Sequence, residues 1–113
     1  MHQHSNIGID IVERAGVVVV AVEGELDLCA APEFEESLTR VGAGHTKPIV
    51  VDLDRVSFMD SAGVHVLLQF ALSQGNGNRL ALTNGSSQVR RLLEVTGVRR
   101  YLRFVASPQL GSA

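Results

Sequence analysis

"IVVDLDRVSFMDSAGVHVLL" (residues 49–68) changes its period partway along. "PIVVDL" (48–53) is β-branched and apolar apart from Asp52, as in a buried strand, and a short loop is expected from Asp54. From Ser61 the spacing becomes helical. Val64, Leu67, Leu68, Ala71 and Leu72 share one face, so the pattern predicts an amphipathic helix within 61–77. "GNGN" (75–78) ends it. A strand that feeds a helix is the first half of a parallel crossover unit. The junction falls on Asp60, Ser61, Ala62 and Gly63.

The same alternation extends outward. Ile7, Ile9 and Ile11 alternate with Gly8 and Asp10, a half-exposed strand, and "ERAG" (13–16) makes a turn. "VVVVAVEG" (17–24) reads as a strand covered on both faces, and the two strands fit a hairpin. Within "GELDLCAAPEFEESLTRVGAG" (24–44), Phe34, Leu38 and Val41 mark a helix. Pro32 suits its first turn, Glu33, Glu35 and Glu36 suit its positive end, and Gly42 and Gly44 stop it. "RLALT" (79–83) predicts a short strand, and "NGSSQ" (84–88) offers helix caps. Val89, Leu92, Leu93 and Thr96 make a third helical face closed by Gly97, and "YLRFVAS" (101–107) a last strand. The order β-β-α-β-α-β-α-β implies an α/β fold. A mixed, mostly parallel sheet of about five strands is flanked by helices, with right-handed crossovers. The domain spans 7–107, with tails at 1–6 and 108–113. In such folds "GELD", "DRVSFMDS" and "TNGSS", each following a strand, meet at one edge, where ligands usually bind.

Composition narrows the function. A chain of 113 residues with 45% apolar and 19% charged residues is one globular domain. A net charge of −2 disfavours non-specific nucleic-acid binding, so no direct DNA contact is expected. The apolar run Val17–Val22 is too short to span a bilayer, and "MHQHSNIGID" lacks the pattern of a signal peptide. Cys29 is the only cysteine, so no intrachain disulfide forms. A cytoplasmic protein without a membrane partner is expected. Ile7, Ile9 and Ile11 offer an edge for weak self-pairing, so the expected state is a monomer or weak dimer.

A hydroxyl at a strand–helix junction either attacks, is modified, or only starts a helix. Attack requires a base and an oxyanion hole. Met59-Asp60-Ser61-Ala62-Gly63 lacks the first glycine of the hydrolase elbow G-x-S-x-G. His65 lies one turn on but has no evident orienting acid, and His45 lies at the opposite edge. No catalytic residue is assigned. Modification fits better. With Asp60 as N-cap, Ser61 is the first helical residue, next to free amide hydrogens and the positive end of the dipole. A phosphate there adds about −1.5 to −2 charge, against Asp60 beside it and Asp27 across the edge. On local chemistry alone, Asp60-Ser61 is most simply a pair that starts a helix.

"GAGHTK" (42–47) lacks phosphate-loop spacing and precedes a strand, so it reads as a helix stop. "HQH" (2–4) has no supporting cluster, and no metal site is assigned. Arg90, Arg91, Arg99, Arg100 and Arg103 gather around the last helix as a solvated face or a second interaction surface. Cys29 reads as a small residue packed at a helix start.

Residues 49–68, with their D-S-[SA]-G junction, resemble the signature of the STAS domain, in particular of anti-sigma factor antagonists. "VEGELDLCAAPEFEESL" (22–38) resembles the family's G-x-L-D segment, and the match covers roughly residues 7 to 107. The resemblance implies a bacterial transcription regulator in partner-switching stress signalling, not an enzyme. It implies an anti-sigma factor serine kinase as partner, with the kinase's Mg-ATP at the interface and no cofactor in this chain. The unphosphorylated antagonist binds that partner and frees the sigma factor. Phosphorylation blocks binding and a serine phosphatase restores it. Ser61 matches the phosphoacceptor, Asp27 and Asp60 the acidic residues lining it, and Gly63 the motif glycine. Ala62, Gly63, His65 and Asn84 join them as expected partner contacts. Ala62 replaces a second serine seen in many relatives. His65 replaces a small residue, with a bearing on partner choice or pH sensitivity. The alternative is a phosphorylation-independent STAS scaffold or small-ligand module.

Overall fold

β1 (Ile7–Arg14) and β2 (Val17–Leu26) pair antiparallel through a two-residue turn, Ala15-Gly16. Both turn residues hold positive φ (49° and 80°), the conformation that matches the right-handed twist of a tight hairpin. The structure, a computed structural model, describes residues 6–74 and 79–107. After the hairpin come α1 (Ala31–Gly44), β3 (Ile49–Met59), α2 (Ser61–Ser73), β4 (Leu80–Leu82), α3 (Ser87–Val95), a 3-10 turn at Val98–Tyr101, and β5 (Arg103–Phe104). The sheet order is β1-β2-β3-β4-β5, parallel from β2 onward. The five-stranded mixed α/β sheet and the element order agree with the sequence-based expectation.

Sequential strand order with crossovers of one hand places consecutive helices on one side of a sheet. The core bears this out. Phe34 and Leu38 of α1, Val64 and Leu67 of α2, and Val89 and Leu93 of α3 share one cluster with Val18, Val20 and Val22. Val19 and Ala81 are buried outside that cluster, in a row that the register draws across all five strands: Val12, Val19, Val50, Ala81, Arg103. Thus β2 is buried on both of its faces, but the inward faces of all three helices meet only one of them.

Several sequence-based boundaries move. The segment from Asp54 is not a loop, because β3 continues to Met59. α1 runs through Gly42 to Gly44, and Arg79 collects the carbonyls at its end. Its guanidinium donates to Gly42 O at 3.0 Å, to Lys47 O at 2.9 Å, and to His45 O. On α2 the buried face is Val64, Val66, Leu67 and Phe70, whereas Leu72 is exposed. Thr96 is exposed too, its hydroxyl donating back to Leu92 O at 2.8 Å at the end of α3. Cys29 precedes α1 as expected but is exposed, not packed. The last strand is only Arg103–Phe104, because the 3-10 turn takes up Tyr101. "GNGN" (75–78), His2, His4 and the tail segments 1–5 and 108–113 lie outside the described residues. Asn6, expected in the first tail, is described: its carbonyl accepts from Glu25 N at 3.0 Å.

Because the strands lie in chain order, charge along the sequence becomes charge across the molecule. Residues 1–60 carry eleven acidic and four basic side chains, and residues 61–113 carry one and six. The β1–β3 side is therefore acidic and the β5 side basic. On the basic side, the Arg99 guanidinium lies 4.1 Å from the Phe104 ring centroid.

Candidate functional site

The site is built where β2 and β3 end together. Their register slips twice, once between the pairs Ala21–Asp52 and Glu23–Arg55 and once between Gly24–Val56 and Glu25–Phe58. Each slip inserts an extra residue into β3, the signature of a bulge. The freed backbone groups at the first bulge find local partners. Asp54 N donates to Asp52 Oδ1 at 3.0 Å, and Leu53 N to Thr83 Oγ1 at 2.8 Å. The bulges turn a period of two into a period of three, so that Leu53, Val56 and Met59 all face inward. That is why this half of β3 reads as a loop in the sequence. Val51 is the last residue of β3 to pair with β4, opposite Leu82. From there the bulged extension carries β3 on alone beside β2, out to the pair Leu26–Met59.

At that end three chain segments are joined. Asp60 N donates to Leu26 O at 3.3 Å. Gln88, in the first turn of α3, brackets Met59, accepting from its N–H at 2.9 Å and donating to its carbonyl at 2.8 Å. Gly63 packs so close that an added Cβ would lie 2.9 Å from Met59 Cγ and 3.0 Å from both Leu26 Cγ and Leu26 O. The motif glycine is therefore a contact requirement: α2 starts directly on the ends of β2 and β3. Gly63→Ala should destabilise the fold by about 1–3 kcal/mol through overpacking. Urea unfolding checks this, with a lower midpoint at unchanged slope. An unchanged midpoint would refute the close approach.

Asp60 is the N-cap of α2, its Oδ1 accepting from Ala62 N at 2.9 Å. Its carbonyl accepts from Gly63 N at 3.1 Å and Val64 N at 3.3 Å. This corrects the expectation of free amide hydrogens around Ser61. Among the described residues, only the Ser61 N–H of the first turn lacks an acceptor. Ser61 itself is exposed, and no described group is bonded to its hydroxyl. Asp27 lies in the turn between β2 and α1, where its Oδ1 accepts from Ala30 N at 3.1 Å and its carbonyl from Ala31 N at 2.9 Å. Asp27 and Asp60 are thus half-buried, each carboxylate held by a backbone donor.

The other expected contacts divide. Ala62 is half-buried, and His65 is exposed one turn along α2. Asn84 is not bonded to this cluster. Its side chain accepts from Arg99 at 3.2 Å, and the adjacent Gly85 packs near Leu53 O, midway along β3. Two exposed apolar residues inside the motif stretches, given no role by the sequence, stand at this same end of the sheet: Leu28, 73% exposed, and Phe58, 42% exposed. Their only sequence signal is an apolar side chain placed in a turn and another next to a strand end. His45, at the opposite edge as expected, lies 3.2 Å from Glu13. Lys47, at 2.7 Å, holds the Glu13 carboxyl below the usual carboxylate range. No cluster of potential metal ligands occurs among the described residues.

Residues 8–111 match the family model of the STAS domain. The chain is 36% identical over 96 residues to the anti-sigma-B factor antagonist of Staphylococcus aureus, covering 83% of this chain and 88% of that one. A crystal structure of an anti-sigma factor antagonist from Mycobacterium paratuberculosis superposes with a TM-score of 0.81 at 28% identity, covering 92% of this chain and 87% of that chain. The structure of the antagonist SpoIIAA in its unphosphorylated form gives a TM-score of 0.66 at 25% identity, covering 88% of this chain and 89% of that chain.

Proposed function

The chain belongs to the STAS-domain family, and from that premise we propose that it is an anti-sigma factor antagonist switched by phosphorylation of Ser61. The unphosphorylated protein docks on a kinase-type anti-sigma factor through the edge around Ser61 and frees the sigma factor. The observation that carries this reading is the unbonded, exposed Ser61 hydroxyl at the first position of α2, at the end of the sheet where two carboxylates are fixed. The description of the relative SpoIIAA as an unphosphorylated form supports a phosphorylation cycle.

In the reaction, Ser61 Oγ attacks the γ-phosphorus of the partner's Mg-bound ATP. The bond from that phosphorus to the β,γ-bridging oxygen breaks, ADP leaves, and the hydroxyl proton passes to a base on the kinase. This chain supplies the acceptor and its position, the partner the catalytic groups. The product dianion lies next to Asp60 in the chain, whose carboxylate already occupies the Ala62 N–H, so of the first-turn donors only the Ser61 N–H is left to compensate it. It therefore stays exposed and charged, which suits a group that must spoil an interface. A serine phosphatase resets the site, and the cycle runs in the cytoplasm.

Incubating the protein with a kinase-type anti-sigma factor and Mg-ATP should add one phosphate, located on Ser61 by peptide mass spectrometry. Phosphate on another residue, or none with any such kinase of the source organism, would refute the assignment.

A further inference from the structure

We infer that Leu28 and Phe58 are the apolar anchors of the partner interface, and that the partner surface they enter is apolar with a cationic surround. This rests on the antagonist function proposed for the chain and gives that site its recognition chemistry.

Both side chains stand at the Ser61 edge. Leu26 pairs with Met59 in the β2–β3 register, and Leu26 O bonds Asp60 N, so the turn bearing Leu28 runs beside the start of α2. Phe58 precedes Met59 on the bulged end of β3, opposite Glu25. In the bulged half of β3 the other apolar side chains face inward, with Leu53 and Met59 fully buried and Val56 1% exposed. Phe58 is thus a departure within its own strand.

Leu28 is also held ready. Its turn is closed by Asp27, whose carbonyl accepts from Ala30 N and Ala31 N and whose carboxylate accepts again from Ala30 N. A fixed backbone presenting an exposed Leu loses little conformational freedom on binding, which is what makes an anchor effective. The surrounding charge is mostly of one sign. Glu23, Glu25, Asp27 and Asp60 lie on these segments, against a single cation, Arg55, which stands opposite Glu23. Apolar centres ringed by charge are the usual anatomy of a protein interface, and the complement of this ring is basic.

The test uses the anti-sigma kinase that phosphorylates Ser61, with calorimetry on wild type, Leu28→Ser, Phe58→Ser and Ser61→Asp. Each apolar replacement should weaken binding roughly tenfold or more. The thermal midpoint of Leu28→Ser should stay unchanged and that of Phe58→Ser, whose ring is partly covered, should fall without loss of the fold, and wild-type affinity should fall as salt rises. In the wild-type complex, the Leu28 methyl and Phe58 ring NMR signals should shift, a readout that does not depend on how the variants fold. Wild-type affinity in Leu28→Ser and Phe58→Ser, with unshifted signals and binding lost only in Ser61→Asp, overturns this inference and leaves the switch standing. Equal binding by all four proteins overturns the switch, and no binding by the wild type removes both.

Discussion

Ser61→Asp is expected to weaken binding to the kinase-type anti-sigma factor by about 100-fold, roughly 3 kcal/mol, while Ser61→Ala stays within about 0.5 kcal/mol of wild type. The asymmetry follows from the site. Losing an exposed, unbonded hydroxyl removes no interaction within the protein. Adding a carboxylate places a further negative group at the end of the sheet that already holds Glu25, Asp27 and Asp60, where most first-turn donors are already taken. An interface closing over it must desolvate the new charge at the point of contact, and cations matched to the surrounding carboxylates leave it without a partner of its own, which costs several kcal/mol. Neither variant should lose its fold, because an acidic residue in the first turn of a helix is well tolerated. Calorimetry or pull-down, beside thermal unfolding of each variant, checks this. Equal affinities for both variants would remove the phosphorylation switch and favour a phosphorylation-independent scaffold.

Gly24→Ala should produce the largest loss of stability, about 3 kcal/mol or more. Gly24 has φ +100°, and an added Cβ would stand 1.9 Å from Asn6 O and 3.0 Å from Asn6 C. Both obstacles are backbone, so no rotamer change relieves them. The Asn6 carbonyl is also the acceptor for Glu25 N at 3.0 Å, so the clash pulls apart the first link of the hairpin. A natural domain has only about 5–15 kcal/mol to lose. Gly16→Ala is the control: its φ is +80°, yet nothing lies within 4 Å of the added Cβ. It should lose only the conformational part, about 1 kcal/mol. Urea unfolding separates the two, and similar midpoints would show that the collision at Gly24 is absent. Because Gly24 leads directly into Asp27 and Leu28, its variant should also weaken partner binding.

These glycines show what kind of signal the sequence holds. Gly24 and Gly63 stand out as parts of a motif, but the reasons for them include contacts with residues remote in the chain: Asn6 for Gly24, and Leu26, beside the nearby Met59, for Gly63. The contacts with Asn6 and Leu26 have no local pattern. The second half of β3 is hard to read for a related reason. Bulges at Asp52–Arg55 and Val56–Phe58 set its burial period to three, and a bulge exists only against a partner strand. Spacing alone puts Leu72 on the buried face, yet α2 turns Val66 and Phe70 inward because α1 packs on that side, where Gly42 leaves room for the Phe70 ring.

The sequence alone determined the order of elements, the parallel crossovers and the place of Ser61 at the start of α2. These depend on periodicity and capping, which act within a few residues of each other. Only the tertiary structure decided which first-turn amides Asp60 occupies, that Asn84 turns to Arg99, and that Leu28 and Phe58 stay exposed at the Ser61 edge. Those outcomes depend on strand register and on packing between segments far apart in the chain, and such long-range geometry leaves no periodic trace in the residues themselves.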